Sequence, residues 1–330
     1  MLKSSLIDRR RFITAGTLAG ISLADSIAAA EAEPTPEPII DIHQHVGYGG
    51  KRDKEWKQIE PGRTNAQLIS HQRAMGITTT ILLPSGRAVV RPSTHEGRSN
   101  GLEATCADNE TCYQFAKAHP GEFRFGANEV TDLPEAIAEI EKYLKLGAVI
   151  IGEQKFGVDC DSPESQKIYE LATVYQVPVI MHWQFQNYNY GFERFYKMLE
   201  KFPKTNFIGH AQTWWANIDR NHVERTNLYT KTQVTPGGIT DRYLSDYPNL
   251  YADQSASSGL NSLIRDEDRT REFLARHQDK ILMGSDCSDT IGRGPICEGA
   301  QIIAAIRRLA PSKAIERKIL HDNAKKLFRF

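Results

Sequence analysis

Several things are scarce in this 330-residue chain, and each scarcity closes off a class of function. Cysteine is sparse, with five residues (Cys106, Cys112, Cys160, Cys287 and Cys297) and no C-x-x-C pair among them. An odd, scattered set of thiols is not a disulfide framework, and it leaves at most an incidental bridge between Cys106 and Cys112. An excess of charge of either sign is also missing, since Lys plus Arg and Asp plus Glu number 41 each. That balance gives no support to nucleic acid or an anionic membrane as an electrostatically drawn partner. Residues 39–330 contain no internal repeat and no low-complexity tract. Hydrophobic residues make up 40% of the chain, enough for a large core.

The first thirty-two residues stand apart. Asp8-Arg9-Arg10-Arg11-Phe12-Ile13 opens a positive region, an Ala/Gly-rich stretch with Leu18, Ile21 and Leu23 follows, and Ala28-Ala29-Ala30 offers small-residue cleavage sites. This is the plan of a cleavable export signal, too weakly hydrophobic to be a stable membrane span. Its Arg-Arg-x-Phe-Ile core resembles a twin-arginine signal, which implies the twin-arginine machinery as a partner and a periplasmic destination. Residues 33–38, Glu-Pro-Thr-Pro-Glu-Pro, read as a short stiff linker.

From residue 39 onward, short β-branched or apolar runs alternate with longer amphipathic ones. The expected strands are 39–46, 78–83, 123–128, 148–153, 177–182, 205–210, 249–253 and 280–285. Helices are expected over 65–75, 109–119, 131–146, 162–175, 192–202, 239–245, 262–276, 299–309 and 312–327. The polar stretch 84–107, with Arg87, Arg91 and Arg98, reads as a functional loop. Eight strands, each followed by a helix, predict an α/β fold of the (β/α)8 TIM-barrel type as one domain over 39–330.

In such a barrel the chemistry sits at the C-terminal ends of the strands. The first strand ends in His43-Gln44-His45, and residues i and i+2 of a strand share a face, so the two imidazoles project together. The fourth ends in Glu153 with Lys155 two residues on, the fifth in His182, the sixth in His210 and the eighth in Asp286. The other six histidines fall in expected helices or loops, where a solvated reading suffices. Four imidazoles and a carboxylate converging on one rim predict a divalent metal site, with zinc first and manganese, iron or nickel compatible.

His-x-His after strand one, His after strands five and six, and Gly-Ser-Asp after strand eight resemble the amidohydrolase superfamily. Asn323-Ala324-Lys325-Lys326-Leu327-Phe328 is similar to the closing helix of its amidohydrolase-related branch, which includes aminocarboxymuconate-semialdehyde decarboxylase. The resemblance implies that His43, His45, His182 and Asp286 hold the metal. It leaves His210 either ligating or polarising the reacting carbonyl. Glu153 would bridge two ions in a binuclear site, and both one and two ions stay open. The implied hydrolytic chemistry has Asp286 take a proton from a metal-activated water and pass it to the leaving group, with His210 stabilising the oxyanion.

Trp183, Gln184, Tyr188, Gln212 and Trp214 follow strands five and six and are expected, with Lys155, to line the pocket of a small organic substrate. Cys287 reads as a wall residue, since no His–Cys pairing is evident from spacing. A metal-dependent non-oxidative decarboxylase on the same barrel is the nearest alternative, and a non-catalytic binding protein the remote one. Homo-oligomerisation is left open.

Overall fold

The computed structural model describes residues 37–52, 58–87, 93, 101–102, 106–223 and 226–330. The expected export signal, all but the end of the linker, and Arg91 and Arg98 lie outside them. Eight strands make the barrel: β1 (Ile39–Gln44), β2 (Ile77–Leu82), β3 (Phe123–Phe125), β4 (Ile151–Gln154), β5 (Val179–His182), β6 (Phe207–His210), β7 (Leu250–Gln254) and β8 (Ile281–Met283). Each runs parallel to its ladder neighbour, in the orders β1-β2-β3 and β4-β5-β6-β7-β8. A single parallel bridge between Ala127 and Ile151 joins the two sheets.

The ring closes between β8 and β1 without a strand ladder, through the Asp41 side chain and one backbone bond just past β8. The buried Asp41 carboxylate accepts the Ser285 N–H at 2.9 Å and the Gln72 amide at 2.9 Å, and the Asp286 N–H donates to the His43 carbonyl at 2.8 Å. Inside the ring, Ile40, Ile42, Ile81, Ile150, Ile180, Ile208 and Leu282 pack across the barrel axis, and Ala324, Leu327 and Phe328 join them. Such inward branched residues make the barrel a packed core, not a pore.

The helices begin where local chemistry allows. Thr64 and Gln67 form a reciprocal capping box on α1 (Asn65–Ala74), and Asp108 caps α2 (Asn109–Ala118). The next helix, α3 (Ala136–Lys145), starts five residues later than the sequence suggests. Thr131, where the helix was expected to begin, donates its hydroxyl to the Gln154 side chain at 2.7 Å and stays outside it. Ser162 caps α4 (Pro163–Tyr175), which begins with proline. After it come α5 (Tyr196–Lys201), α6 (Gln212–Ala216) and α7 (Ile239–Asp246).

One expected helix over 262–276 is in fact two, α8 (Ala256–Ile264) and α9 (Glu267–Arg276), because Asp266 leaves the helical register and caps α9. A two-stranded hairpin, Lys51–Arg52 with Gln58–Glu60, was not expected. The chain ends with α10 (Glu298–Leu309), α11 (Lys313–Arg317), a π turn over Lys318–Asp322, and α12 (Asn323–Phe328). Among the described residues no helix is long and apolar enough to cross a membrane.

Candidate metal centre

A register shift in β1 aims the first two histidines. Asp41 pairs with Thr80 and Gln44 with Leu82, so β1 carries one extra residue between them. A bulge of this kind reverses the side-chain parity. Ile42 thereby faces the inner core while His43 and His45 turn to the cluster at the strand ends. Their Nε2 atoms are 3.2 Å apart. Each ring is fixed by its other nitrogen, His43 Nδ1 by Asp253 Oδ2 at 2.7 Å and His45 Nδ1 by the Leu83 carbonyl at 2.7 Å. A ring whose Nδ1–H is donated in this way aims its Nε2 into the cluster, where loss of the Nε2 proton leaves the lone pair that ligates metal.

Glu153 and Asp286 close on the same point. Glu153 Oε2 is 3.5 Å from both His43 Nε2 and His45 Nε2, and Asp286 Oδ1 is 3.7 Å and 3.5 Å from them. On the far side of Glu153, its Oε1 lies against His182 Nδ1 and 3.5 Å from His210 Nε2. Two ligand groups therefore share Glu153: one with His43, His45 and Asp286, and one with His182 and His210. In this geometry His182 does not stand beside His43 and His45 as an equal ligand. Its Nε2 turns instead to Gln184 Oε1 at 3.2 Å.

The electrostatics call for a cation. Burial disfavours a charged His43, but the Asp286 and Asp253 carboxylates outweigh it and push its pKa up to about 10. Burial likewise opposes charge on His45, yet Cys106 and the carboxylates of Asp286 and Glu153 drive it well upward. Burial would raise Glu153, but Lys155 and His182 hold it well below the usual carboxylate range. Asp286 is held low by His43 and His45 against its own burial. His182 is pushed down to about 4 by burial and by Lys155. Glu153 Oε2 and Asp286 Oδ1 are buried and accept no hydrogen bond among the described residues. Unsatisfied carboxylate oxygens facing free imidazole nitrogens fit a divalent ion of the imidazole–carboxylate class.

The expected wall divides. Gln184 and Tyr188 are half-buried beside His182, the Tyr188 ring edge-on at 5.4 Å, and Lys155 Nζ stands 6.0 Å from the centre of that ring. Glu153 and Asp286 outweigh burial and keep the Lys155 ammonium charged. Gln212 donates to the Tyr229 hydroxyl at 3.1 Å. Trp183 and Trp214, by contrast, are not wall residues. Both are fully buried in the core, Trp183 against Phe192 and Phe195, Trp214 against Phe192 and Trp215. A cleft of about 580 Å³, bordered by Gln184, Phe185, Asn189 and Thr213, meets the cluster at Gln184.

Other readings change too. Arg87 is engaged by Glu129 at 2.8 Å and is not free to take a substrate. His71, His277 and His321 are buried, not solvated. Cys287 lies 3.5 Å from His71 Nε2, a pairing that spacing did not reveal, and Cys106 and Cys112 are free thiols.

Three neighbours of the cluster were missed. Asp253 is the next-to-last residue of β7, and one of its oxygens accepts from His43, His210 (3.0 Å) and the Ser255 hydroxyl (2.7 Å). Ser255 Oγ also sits 3.0 Å from His210 Nδ1. Asp253 was visible to the same strand-end rule that found the histidines. Tyr48 packs edge-on to His45 at 4.8 Å, and its hydroxyl is pushed well up by burial and the nearby Asp286 and Glu153.

Comparison with protein families matches residues 40–330 to the amidohydrolase family. Comparison with curated proteins gives no match. Among solved structures, an uncharacterised TIM-barrel protein of Bordetella bronchiseptica is 18% identical, with a TM-score of 0.58 over 88% of this chain and 98% of that one. A probable 2-pyrone-4,6-dicarboxylic acid hydrolase of Acinetobacter baumannii is 15% identical, with a TM-score of 0.55 over 88% and 99%. A Polaromonas dihydroxybenzoic acid decarboxylase with bound manganese is 17% identical, with a TM-score of 0.53 over 89% and 97%. At these identities the likeness to solved structures is one of fold.

Proposed function

The chain belongs to the amidohydrolase family, and from that premise we propose that it is a metal-dependent hydrolase of a small organic substrate bearing an anionic group. One observation carries the reading. Asp286 is a buried carboxylate held ionised by His43 and His45, yet its Oδ1 accepts no hydrogen bond among the described residues. Its ionised form and open lone pair leave it placed to accept a proton from a water held beside it, once a bound ion takes over from the protonated imidazoles.

His43, His45, Asp286 and Glu153 would hold one ion, and Glu153, His182 and His210 a second. Zinc is the first choice for this donor set, and manganese, iron and nickel are compatible with it. A bound divalent ion supplies Lewis-acid polarisation and lowers the pKa of water toward neutrality. The remaining work falls to the chain itself. Asp286 takes the proton of the attacking water and returns it to the leaving group. Its backbone is left-handed, at φ 40°, and its N–H is anchored on the His43 carbonyl, which fixes where the carboxylate points. Asp253 holds His210 by Nδ1 and fixes the direction of its Nε2, toward the second ion in a two-ion site and toward the developing oxyanion where only one ion is bound. The Lys155 ammonium takes the anionic group of the substrate, with Gln184 and Tyr188 beside it.

A second reading, non-oxidative decarboxylation, is favoured by the same charged Lys155, which would seat the carboxylate to be lost. The Polaromonas decarboxylase named above shows that the fold supports such chemistry in that protein. A screen of planar carboxylates, lactones and amides in 18O-labelled water separates the two. The proposal expects 18O in an acid product. Carbon dioxide release with a solvent proton placed on carbon would overturn it in favour of the second reading. Export by the twin-arginine route to the periplasm is part of the proposal, and retention of an Arg9→Lys/Arg10→Lys variant in the cytoplasm tests it.

A further inference from the structure

A second concentration of metal-ligating groups lies outside the catalytic cluster, and the proposed chemistry makes no use of it. His71 on α1, Cys287 and Asp289 on the loop after β8, and Cys297 at the head of α10 meet in one spot, their ligand atoms all within 4.8 Å of one another. His71 and Cys297 are wholly buried and Cys287 is 4% exposed. The two Sγ atoms are 3.8 Å apart, and each is 3.5 Å from His71 Nε2. His71 Nε2 is 3.0 Å from Asp289 Oδ2.

These separations can be compared with a known coordination shell. Tetrahedral zinc with ordinary Zn–S and Zn–N bonds places its sulfurs about 3.8 Å apart and sulfur about 3.5 Å from nitrogen. The observed spacing matches both. The geometry points to a closed, structural zinc site made by Cys287, Cys297, His71 and Asp289, distinct from the catalytic ions and without an open position for substrate.

The surroundings support each ligand. Asp289 Oδ1 accepts the Ile291 and Gly292 N–H groups, both at 2.9 Å, and this turns Oδ2 toward His71. Cys297 Sγ caps α10 by accepting the Ala300 N–H at 3.4 Å, and a helix N-terminus favours a thiolate. The Arg63 guanidinium donates to the Cys287 carbonyl at 3.1 Å and the Asp289 carbonyl at 2.9 Å, placing positive charge beside a ligand set with three anionic members. Two thiolates and an imidazole select zinc over the hard oxygen-seeking cations. No sequence motif announces the site, because Cys287 and Cys297 are 10 residues apart and His71 stands 216 residues before Cys287. The zinc clamps the loop after β8, which carries Asp286, to α1 and α10, and so holds the proposed base in place.

The test uses the full chain purified under reducing conditions without chelator and then loaded with cobalt(II). Sulfur-to-cobalt charge-transfer absorption in the near ultraviolet reports thiolate ligation, which the histidine–carboxylate cluster cannot give. The band is expected in the wild type and in His43→Ala. It is expected to vanish in Cys297→Ser and His71→Asn, each losing one equivalent of metal per chain. A variant that fails to fold leaves a second measurement on the wild-type zinc protein. There, a mercurial reagent should release one zinc per chain as two thiols are modified. Cobalt-loaded wild type without the band would overturn the assignment. So would a Cys287–Cys297 disulfide in protein isolated without reductant that keeps its full metal content.

Discussion

Asp253 offers the sharpest quantitative test, because one of its oxygens orients two rings at once. Oδ2 lies 2.7 Å from His43 Nδ1 and 3.0 Å from His210 Nδ1. Asp253→Asn preserves the shape and removes the charge. A hydrogen bond to a charged group contributes about 1.5–3 kcal/mol and a neutral one about 1 kcal/mol, so each ring loses on the order of 1 kcal/mol. His43 serves one ion and His210 the other, so each ion loses about 1 kcal/mol, or roughly fivefold in affinity, somewhat below the ten- to hundredfold range of outer-shell replacements. The assay is competition between the metal-free protein and a chromophoric chelator, with circular dichroism confirming that the variant is folded. Affinity within about twofold of wild type would refute the claim that Asp253 prepares His43 and His210 for metal.

Three further outcomes follow from the same geometry. Asp286→Asn should keep its thermal transition and lose turnover by about 10²–10⁴-fold, the usual value of a positioned acid–base group, and near-normal turnover would remove Asp286 from the mechanism. With its pKa near 10, His43 is protonated in the metal-free chain at neutral pH, so ion binding should release a proton and affinity should climb with pH until about 10. The stabilisation due to that raised pKa is fully present below about 6.5 and is lost as pH rises through 10, so its contribution to the melting temperature of metal-free protein should decline over that window, which a calorimetric pH series on wild type and His43→Ala would show. Trp214→Ala should cost about 3–5 kcal/mol in denaturant unfolding as a core truncation, and a large rise in KM without loss of stability would return Trp214 to the substrate wall.

The eight-strand alternation was legible because parallel strands buried on both faces read as short apolar runs, and the strand-end rule then pointed to His43, His45, Glu153, His182, His210 and Asp286. What was not legible depends on partners distant in sequence. Periodicity could not show that a bulge would reverse the parity of β1 between Ile42 and His43. The aromatic segments after β5 and β6 look alike on paper, yet Trp183 and Trp214 turn inward while Tyr188 stays beside His182. Gly209 shows the cause for Trp214: a Cβ there would come within 2.3 Å of the indole, so the absent side chain makes the seat for the ring. The helix expected from Thr131 starts later because Gln154, at the end of β4, takes the Thr131 hydroxyl. His71 reads as a polar member of an amphipathic helix until the fold brings two cysteines to it.

The central claim is that the imidazole–carboxylate cluster holds catalytic metal, and its most direct test is where a metal binds. Crystals of protein loaded with zinc or manganese should give an anomalous-scattering peak among His43, His45, Glu153 and Asp286. A second peak beside His182 and His210 would establish the two-ion form. Location is decisive where stoichiometry is not, because the cysteine site would add its own equivalent. Well-ordered crystals from metal-saturated solution with no peak in that cluster would contradict the account.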